Sequence, residues 1–325
     1  MTDSPKTRVL ISAPYMIPAI DRFRPSLSAA GVEIVVAEVD ERLDADQLLA
    51  YAGEVDGVIC GDDRFTQKVL KAFAPRLKVI SKWGTGIDSI DQAGAQGLGI
   101  AVMNTPDAFT EAVSDTVLGY MLAFARRIPW MDLAMKAGKW EKHPGVSLHE
   151  RTLGVVGVGR IGKAVLRKAQ AFGMTLLGND IEPVNPGFLE QVSVQLSDLD
   201  DLLGKADFIS LNCDLNPTSR HLIHSENLRV VKQGAVLINT SRGPVIDQPA
   251  LVEALQTGPL AGAALDVFED EPLPTDSPLR RMDNVLLAPH NANASPEAWE
   301  RVHRNTISNL LRALGLDPAS TGLVE

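Results

Sequence analysis

Three short segments in the second half of the chain hold residue types suited to proton and carboxylate chemistry. They are Asn239-Thr240-Ser241-Arg242-Gly243, Leu265-Asp266-Val267-Phe268-Glu269-Asp270-Glu271-Pro272 and Pro289-His290. A guanidinium such as Arg242 presents paired N–H donors that match a carboxylate bidentately. An imidazole such as His290 changes charge near neutrality, so it can give a proton to a forming hydroxyl or take one away. A carboxylate such as Glu271 orients that imidazole and favours its charged form. Taken singly, an ion pair, a turn carboxylate and a hydrogen-bonded core histidine are the ordinary readings. Each segment follows a strand-like apolar run, and the rim beyond the strands' carboxyl ends is where open α/β sheets bind ligands.

A second constellation precedes the first. Gly157-Val158-Gly159-Arg160-Ile161-Gly162 follows the apolar run at 153–156 and leads into a helical pattern carrying Ala164, Val165, Ala169 and Phe172. In this setting the first glycine permits a tight turn, the second lets backbone approach a pyrophosphate, and the third allows close helix packing. The helix amino terminus adds oriented N–H donors, so Gly157, Gly159, Arg160, Ile161 and Gly162 read as dinucleotide contacts. Asp180 stands after the next strand-like run, where a carboxylate accepts ribose hydroxyls and repels a 2′-phosphate. Glu182 adds a second negative group, and no Lys or Arg immediately follows Asp180, so the expected cofactor is NAD and not NADP.

With these motifs in this order, the chain resembles the D-isomer-specific 2-hydroxyacid dehydrogenases, above all their phosphoglycerate dehydrogenase-like branch. The resemblance spans essentially the whole chain. It implies that Arg242 binds and polarises a 2-keto acid, that Glu271 pairs with His290 as the acid and base, and that Asp266 meets the nicotinamide carboxamide. Thr240, within the Arg242 motif, falls among the cofactor contacts. Gly84-Thr85-Gly86, ahead of Asp88, corresponds to the family's backbone site for the substrate carboxylate, with Lys82 beside it. The resemblance further implies a homodimer joined through helices of the cofactor domain. Three departures stand out: Ser210-Leu211-Asn212-Cys213-Asp214-Leu215 lacks the usual His and Pro, Asp115 replaces a common Glu, and Asn291-Ala292 follows His290. The chain ends soon after its last helical pattern, which argues against a serine-binding regulatory extension.

The elements that must position these residues alternate along the chain. Apolar runs at 9–12, 32–37, 57–60, 78–81 and 100–103 are separated by helical patterns, and a second series runs through 153–157, 174–178, 207–211, 235–239, 263–267 and 284–288. Such alternation predicts parallel sheets covered on both faces. A connecting helix is expected over 109–127, and a last helix over about 295–314 has Trp299, Val302, Ile307 and Leu310 to bury. The expected fold class is α/β, with two doubly wound parallel-sheet domains. A Rossmann cofactor domain, 104–290, is inserted into a discontinuous flavodoxin-like substrate domain, 1–103 and 291–325.

Composition narrows the partners. With 31 basic against 41 acidic residues the net charge is −10, which disfavours nucleic acid and anionic membrane surfaces. The two cysteines, Cys60 and Cys213, form no CxxC or disulfide framework, and the amino terminus has no signal-peptide pattern, so a cytoplasmic protein is expected. His221 and His224 have helical spacing but no completing ligand cluster, so no metal is expected. Trp130, Met131, Met135 and Trp140 read as helix packing or a subunit interface. The expected reaction is hydride transfer between NAD and a small 2-hydroxy or 2-keto acid. A phosphorylated acid such as 3-phosphoglycerate would meet Asp62 and Asp63, with Arg64 and Lys82 available to compensate, so an unphosphorylated acid is favoured. The alternative from another class is an NAD(H)-responsive scaffold protein.

Overall fold

The computed structural model describes residues 7–321. Of the amino-terminal residues read for a signal pattern, residues 1–6 lie outside this range. Among the described residues, twelve strands form two wholly parallel sheets. In the first, β1 (Thr7–Ile11), β2 (Val32–Val36), β3 (Gly57–Cys60), β4 (Val79–Lys82) and β5 (Ala101–Met103) lie in the order β2-β1-β3-β4-β5. This is the flavodoxin-like order. The central strands β3 and β4 are buried throughout, whereas the edge strand β2 alternates with exposed positions, as expected where helices cover both faces of a parallel sheet.

In the second sheet, β6 (Thr152–Val156), β7 (Thr175–Asn179), β8 (Val194–Leu196), β9 (Phe208–Leu211), β10 (Val236–Asn239), β11 (Gly262–Leu265) and β12 (Val285–Leu287) lie in the order β12-β11-β10-β9-β6-β7-β8. The chain builds outward from β6 through β7 to β8, then returns to lay β9 on the other side of β6. That reversal places a topological switch point between β6 and β9, where ligands of this architecture bind. Alternate residues of β6 feed different cores: Leu153 and Val155 join one cluster with helix Thr110–Arg126, and Val156 joins another with Leu202, Leu211 and Ile223.

Two compact units result: Thr110–Ala294 is one, and the described residues before Thr110 and after Ala294 form the other. The crossovers thus fall at 109/110 and 294/295, later than the sequence-based boundaries near 104 and 291. The physical reason at the first crossover is that Asn104 to Phe109 stay fastened to the first unit. Thr105 donates its backbone N–H and its hydroxyl to the Gly84 carbonyl at 2.9 and 3.0 Å, and Phe109 packs on Trp83 with ring centroids 5.8 Å apart. Helix Pro296–Ala313 is capped by the Ser295 hydroxyl and belongs to the first unit, where Ser81 donates to the Thr306 carbonyl at 2.8 Å and Leu310 is fully buried.

Two short elements carry no clear signal in the sequence. Strand β8 offers just Val194, Gln195 and Leu196, too few residues for a period-2 signal, and its pairing with β7 makes it a strand. Helix Ile128–Lys136 begins after Arg127, whose left-handed backbone (φ 56°) breaks the preceding helix.

Candidate active site

The carboxyl-terminal rim of the seven-stranded sheet gathers most of the expected chemistry. Beyond β10, Asn239 folds the following turn onto itself: its Oδ1 accepts from the Ser241 N–H and hydroxyl at 3.0 and 2.8 Å, and its Nδ2 donates to the Arg242 carbonyl at 3.0 Å. Arg242 emerges half-buried from that turn and donates from Nη1 to the Ser241 carbonyl at 3.1 Å. Beyond β11, Glu271 accepts the Phe268 N–H at Oε1 (2.9 Å) and meets His290 Nδ1 at Oε2 (3.2 Å). Burial would push the Glu271 carboxyl up. The His290 hydrogen bond and charge, the Phe268 N–H and the Arg242 charge together hold it below its ordinary value, so it is a carboxylate at neutral pH.

His290 sits just past β12 in the left-handed region (φ 51°), a conformation seldom adopted by a non-glycine residue without surrounding constraint. The constraint is Asp266. Its carbonyl accepts the His290 N–H at 2.8 Å, and its carboxylate accepts the Asn291 and Ala292 N–H groups at 2.7 and 2.9 Å. Asp266 is 0% exposed, and burial raises its pKa despite these donors. The family resemblance assigns Asp266 to the nicotinamide carboxamide. In the structure the carboxylate is enclosed and turned to backbone donors, which fixes the backbone that carries His290.

At the switch point, Gly157 (φ 90°) takes a left-handed turn in which a Cβ would lie 2.6 Å from the Cys213 nitrogen, and a Cβ on Gly162 would lie 2.0 Å from the Gly157 carbonyl. Only glycine admits these approaches, which bring helix Arg160–Ala171 against the strand ends. The helix has Gly159 as its cap and no side-chain acceptor on its first N–H groups. Arg160 is exposed and Ile161 half-buried beside it. Asp180, just past β7, is half-buried and accepts the Val158 N–H at 2.6 Å and the Glu182 N–H at 2.9 Å. It therefore anchors the glycine turn as well as standing where a ribose ligand is expected.

The fit of a dinucleotide to these residues can be tested on polar atoms buried without protein partners. Thr240 Oγ1 and Asn212 Oδ1 are both in that condition. They stand just past β10 and β9, which are neighbours in the sheet. A Cβ direction at Gly159 opens onto empty space. Uncapped helix N–H groups, open space over Gly159 and two unsatisfied acceptors along the same rim suit a phosphate-bearing ligand with hydroxyl and amide donors. Asn212 was legible as a departure from the family pattern, but sequence reasoning gave it no role.

The rim of the five-stranded sheet is organised differently. The Gly84 carbonyl is held by Thr105, and the exposed Thr85 accepts from Asn104 Nδ2 at its carbonyl (2.6 Å). Gly86 follows, half-buried. Lys82, whose side chain is 5% exposed, pairs with Asp62 at 3.0 Å. Asp63 is fully buried and accepts from the Ser12 hydroxyl (2.5 Å) and the Leu43 N–H (2.7 Å). This revises the picture of two acids lining a cleft: one is enclosed in the fold and the other neutralises Lys82. Among the described residues, no His, Cys, Asp or Glu group is arranged to hold a metal, and no helix is long and apolar enough to cross a membrane. His221 instead meets Glu269 at 2.7 Å, and His224 caps the helical turn Ser225–Leu228.

A glycine-turn dinucleotide site joined to an Arg, Glu and His rim defines a nicotinamide-dependent α/β dehydrogenase. Residues 118–292 match the family model described as D-isomer specific 2-hydroxyacid dehydrogenase, NAD binding domain. A glyoxylate reductase of Thermofilum pendens is 42% identical over 278 residues, covering 83% of this chain and 81% of the relative. A D-3-phosphoglycerate dehydrogenase of Methanocaldococcus jannaschii is 41% identical over 271 residues, covering 82% of this chain but 51% of the relative. Among solved structures, a D-lactate dehydrogenase of Aquifex aeolicus complexed with NAD and lactic acid superposes with a TM-score of 0.85 at 27% identity, covering 98% of this chain and 97% of that one. The chain belongs to the D-isomer-specific 2-hydroxyacid dehydrogenase family and is an NAD-dependent oxidoreductase.

Proposed function

We propose that the protein reduces a small unphosphorylated 2-keto acid to the D-2-hydroxy acid, with His290 as proton donor, Glu271 as its charge partner and Arg242 as the carboxylate and carbonyl ligand. The observation that carries this reading is the His290 Nδ1 to Glu271 Oε2 contact of 3.2 Å, made by a carboxylate that also feels the Arg242 charge. NADH, when bound, supplies the hydride. His290 gives its proton to the forming hydroxyl, and in the reverse direction its neutral ring takes that proton back. Glu271 stabilises the imidazolium throughout. The Gly84, Thr85 and Gly86 backbone receives the substrate carboxylate. Gly157, Gly159, Arg160, Ile161, Gly162, Asp180 and Thr240 hold the cofactor, with Asp180 on the adenosine ribose.

An unphosphorylated substrate is favoured because a phosphate seeking the buried Lys82 would have to displace Asp62 from it. The glyoxylate reductase likeness supports a small acid, whereas the phosphoglycerate dehydrogenase likeness keeps 3-phosphoglycerate as the competitor to be tested. A homodimer is supported by the apolar side chains of Ile128, Leu133, Met135 and Trp140, the last of them 90% exposed. The free cysteines Cys60 and Cys213 fit the cytoplasm.

The test is NADH oxidation with glyoxylate, hydroxypyruvate, pyruvate and 3-phosphohydroxypyruvate. Turnover of the unphosphorylated acids with the largest kcat/KM is expected. Tight NADH binding without turnover of any of them would sink the dehydrogenase assignment in favour of an NAD(H)-responsive scaffold.

A further inference from the structure

The turn that follows β1 places an aromatic ring on the rim of the five-stranded sheet. Ser12 and Ala13 both donate backbone N–H groups to the Ile59 carbonyl, at 2.9 and 3.3 Å, and Met16 closes the turn by donating to the Ala13 carbonyl at 2.9 Å. Met16 is fully buried, with its sulfur 3.0 Å from His303 Nδ1. Between these fixed points stands Tyr15, 39% exposed. Its ring lies 5.4 Å from that of Trp83 and 5.1 Å from that of Trp299. Trp83 is 4% exposed and held by donation from Nε1 to His303 Nδ1 at 3.0 Å, and it is the residue before Gly84.

A tyrosine in such surroundings has two uses. It can close a core, but the two indoles beside it already do so, and an ordinary core residue is not 39% exposed. It can instead offer a flat apolar surface on the rim where open α/β sheets meet their ligands. Of the charges near this rim, Lys82 pairs with Asp62 and Asp63 is buried. A charged substituent placed against the Tyr15 ring would lose hydration without gaining an opposite charge from that surface.

We propose that Tyr15, backed by Trp83 and Trp299, is the specificity-determining wall for the substrate's C3 substituent, and that it favours uncharged apolar or aromatic 2-keto acids over glyoxylate, which has no side chain. This rests on the reading that Gly84-Thr85-Gly86 receives the substrate carboxylate. The ring is already packed against two indoles before a ligand arrives, so stacking against it costs less ordering than stacking against a free side chain.

The test compares kcat/KM for phenylpyruvate and for glyoxylate at saturating NADH in the full-length wild type, Tyr15→Phe and Tyr15→Ala. The phenylpyruvate to glyoxylate ratio should fall about tenfold or more in Tyr15→Ala and survive in Tyr15→Phe, which keeps the ring. An unchanged ratio in Tyr15→Ala overturns the proposal, and a ratio that rises shows a barrier to bulk and overturns it too. Should Tyr15→Ala fail to fold, Tyr15→Leu replaces it with the same expected fall. Independently of turnover, phenylpyruvate added to the NAD-loaded wild type should change the tryptophan emission saturably, and Tyr15→Phe should retain that response. Absence of any response overturns the proposal. If the wild type reduces no 2-keto acid, glyoxylate included, the dehydrogenase reading fails while the emission titration still decides whether the aromatic wall takes the ligand.

Discussion

The two sheets use the same rim for opposite purposes. At the carboxyl ends of the seven-stranded sheet, charged and polar groups are kept half-buried and reactive: Arg242, Glu271 and His290 converge, and Thr240 Oγ1 and Asn212 Oδ1 are left without protein partners. At the carboxyl ends of the five-stranded sheet Lys82 pairs with Asp62, Asp63 is enclosed, and Tyr15 stands against Trp83 and Trp299. Parallel sheets generate the same crevice geometry in both, so the difference comes from the loop residues beyond each strand. One rim holds groups that must change protonation or bind a charged cofactor. The other presents backbone groups and aromatic rings.

The largest expected effect breaks the reactive rim. His290→Ala should lower turnover by about 10²- to 10⁴-fold in both directions, while NADH affinity, measured by fluorescence titration, stays near that of the wild type. Wild-type turnover would remove His290 from the mechanism. Glu271→Gln sharpens the same point through pH. Reduction needs the protonated imidazole, and Glu271 is a carboxylate across the neutral range because its pKa is held low. Removing that charge makes protonation require a more acidic solution, so the pH at which reduction falls to half should move downward. No movement would mean that the 3.2 Å contact does not govern the proton donor.

A middle-sized effect is expected at Asp180, whose carboxylate anchors the glycine turn and is proposed to receive the ribose. Asp180→Ala should lower the NAD to NADP ratio of specificity constants by about tenfold, the worth of a hydrogen bond to a charged group. Part of the loss should fall on both cofactors, because the Val158 N–H loses its acceptor. Asp180→Asn separates the two terms, since its carbonyl can still accept from Val158 while the phosphate-repelling charge is gone. A ratio unchanged in both variants would contradict ribose recognition.

The order of elements and the cofactor turn were legible in the sequence because both depend on local signals. The glycines of 157–162 mark a turn that other residues cannot make, and apolar runs of four or five residues mark buried parallel strands. Arg242, Glu271 and His290 were legible as a set through their motifs. Less legible was anything decided by a distant partner. That Asp63 is enclosed by Ser12 and the Leu43 N–H, or that Asp266 turns to the backbone of 291 and 292, depends on loops brought together only by the sheet. Tyr15 and Trp299 lie at nearly opposite ends of the chain, and the helical pattern that holds Trp299 says nothing of a surface shared with Tyr15. Strand β8 failed for the simpler reason that three residues carry no period.

The smallest expected effect concerns the quiet rim, where a titratable group is buried for packing. His303 accepts the Trp83 indole N–H at Nδ1, which requires an unprotonated nitrogen there. Burial, reinforced by the positive charge of Arg22 and opposed by Glu300, lowers its pKa from 6.5. The unfolded chain therefore binds this proton more readily than the folded one, and folding stability rises with pH between the folded pKa and about 6.5. The contribution is complete above the unfolded value and is lost as pH falls through it. Urea unfolding from about pH 7.5 down to 5.5 should show a declining midpoint in the wild type. In His303→Asn, whose carbonyl can still accept from the indole but does not titrate, the decline should be shallower. Equal slopes would show that His303 is not what couples this aromatic rim to pH. A steeper slope in the variant would reverse the sign of the argument and place a protonated histidine beneath Trp83.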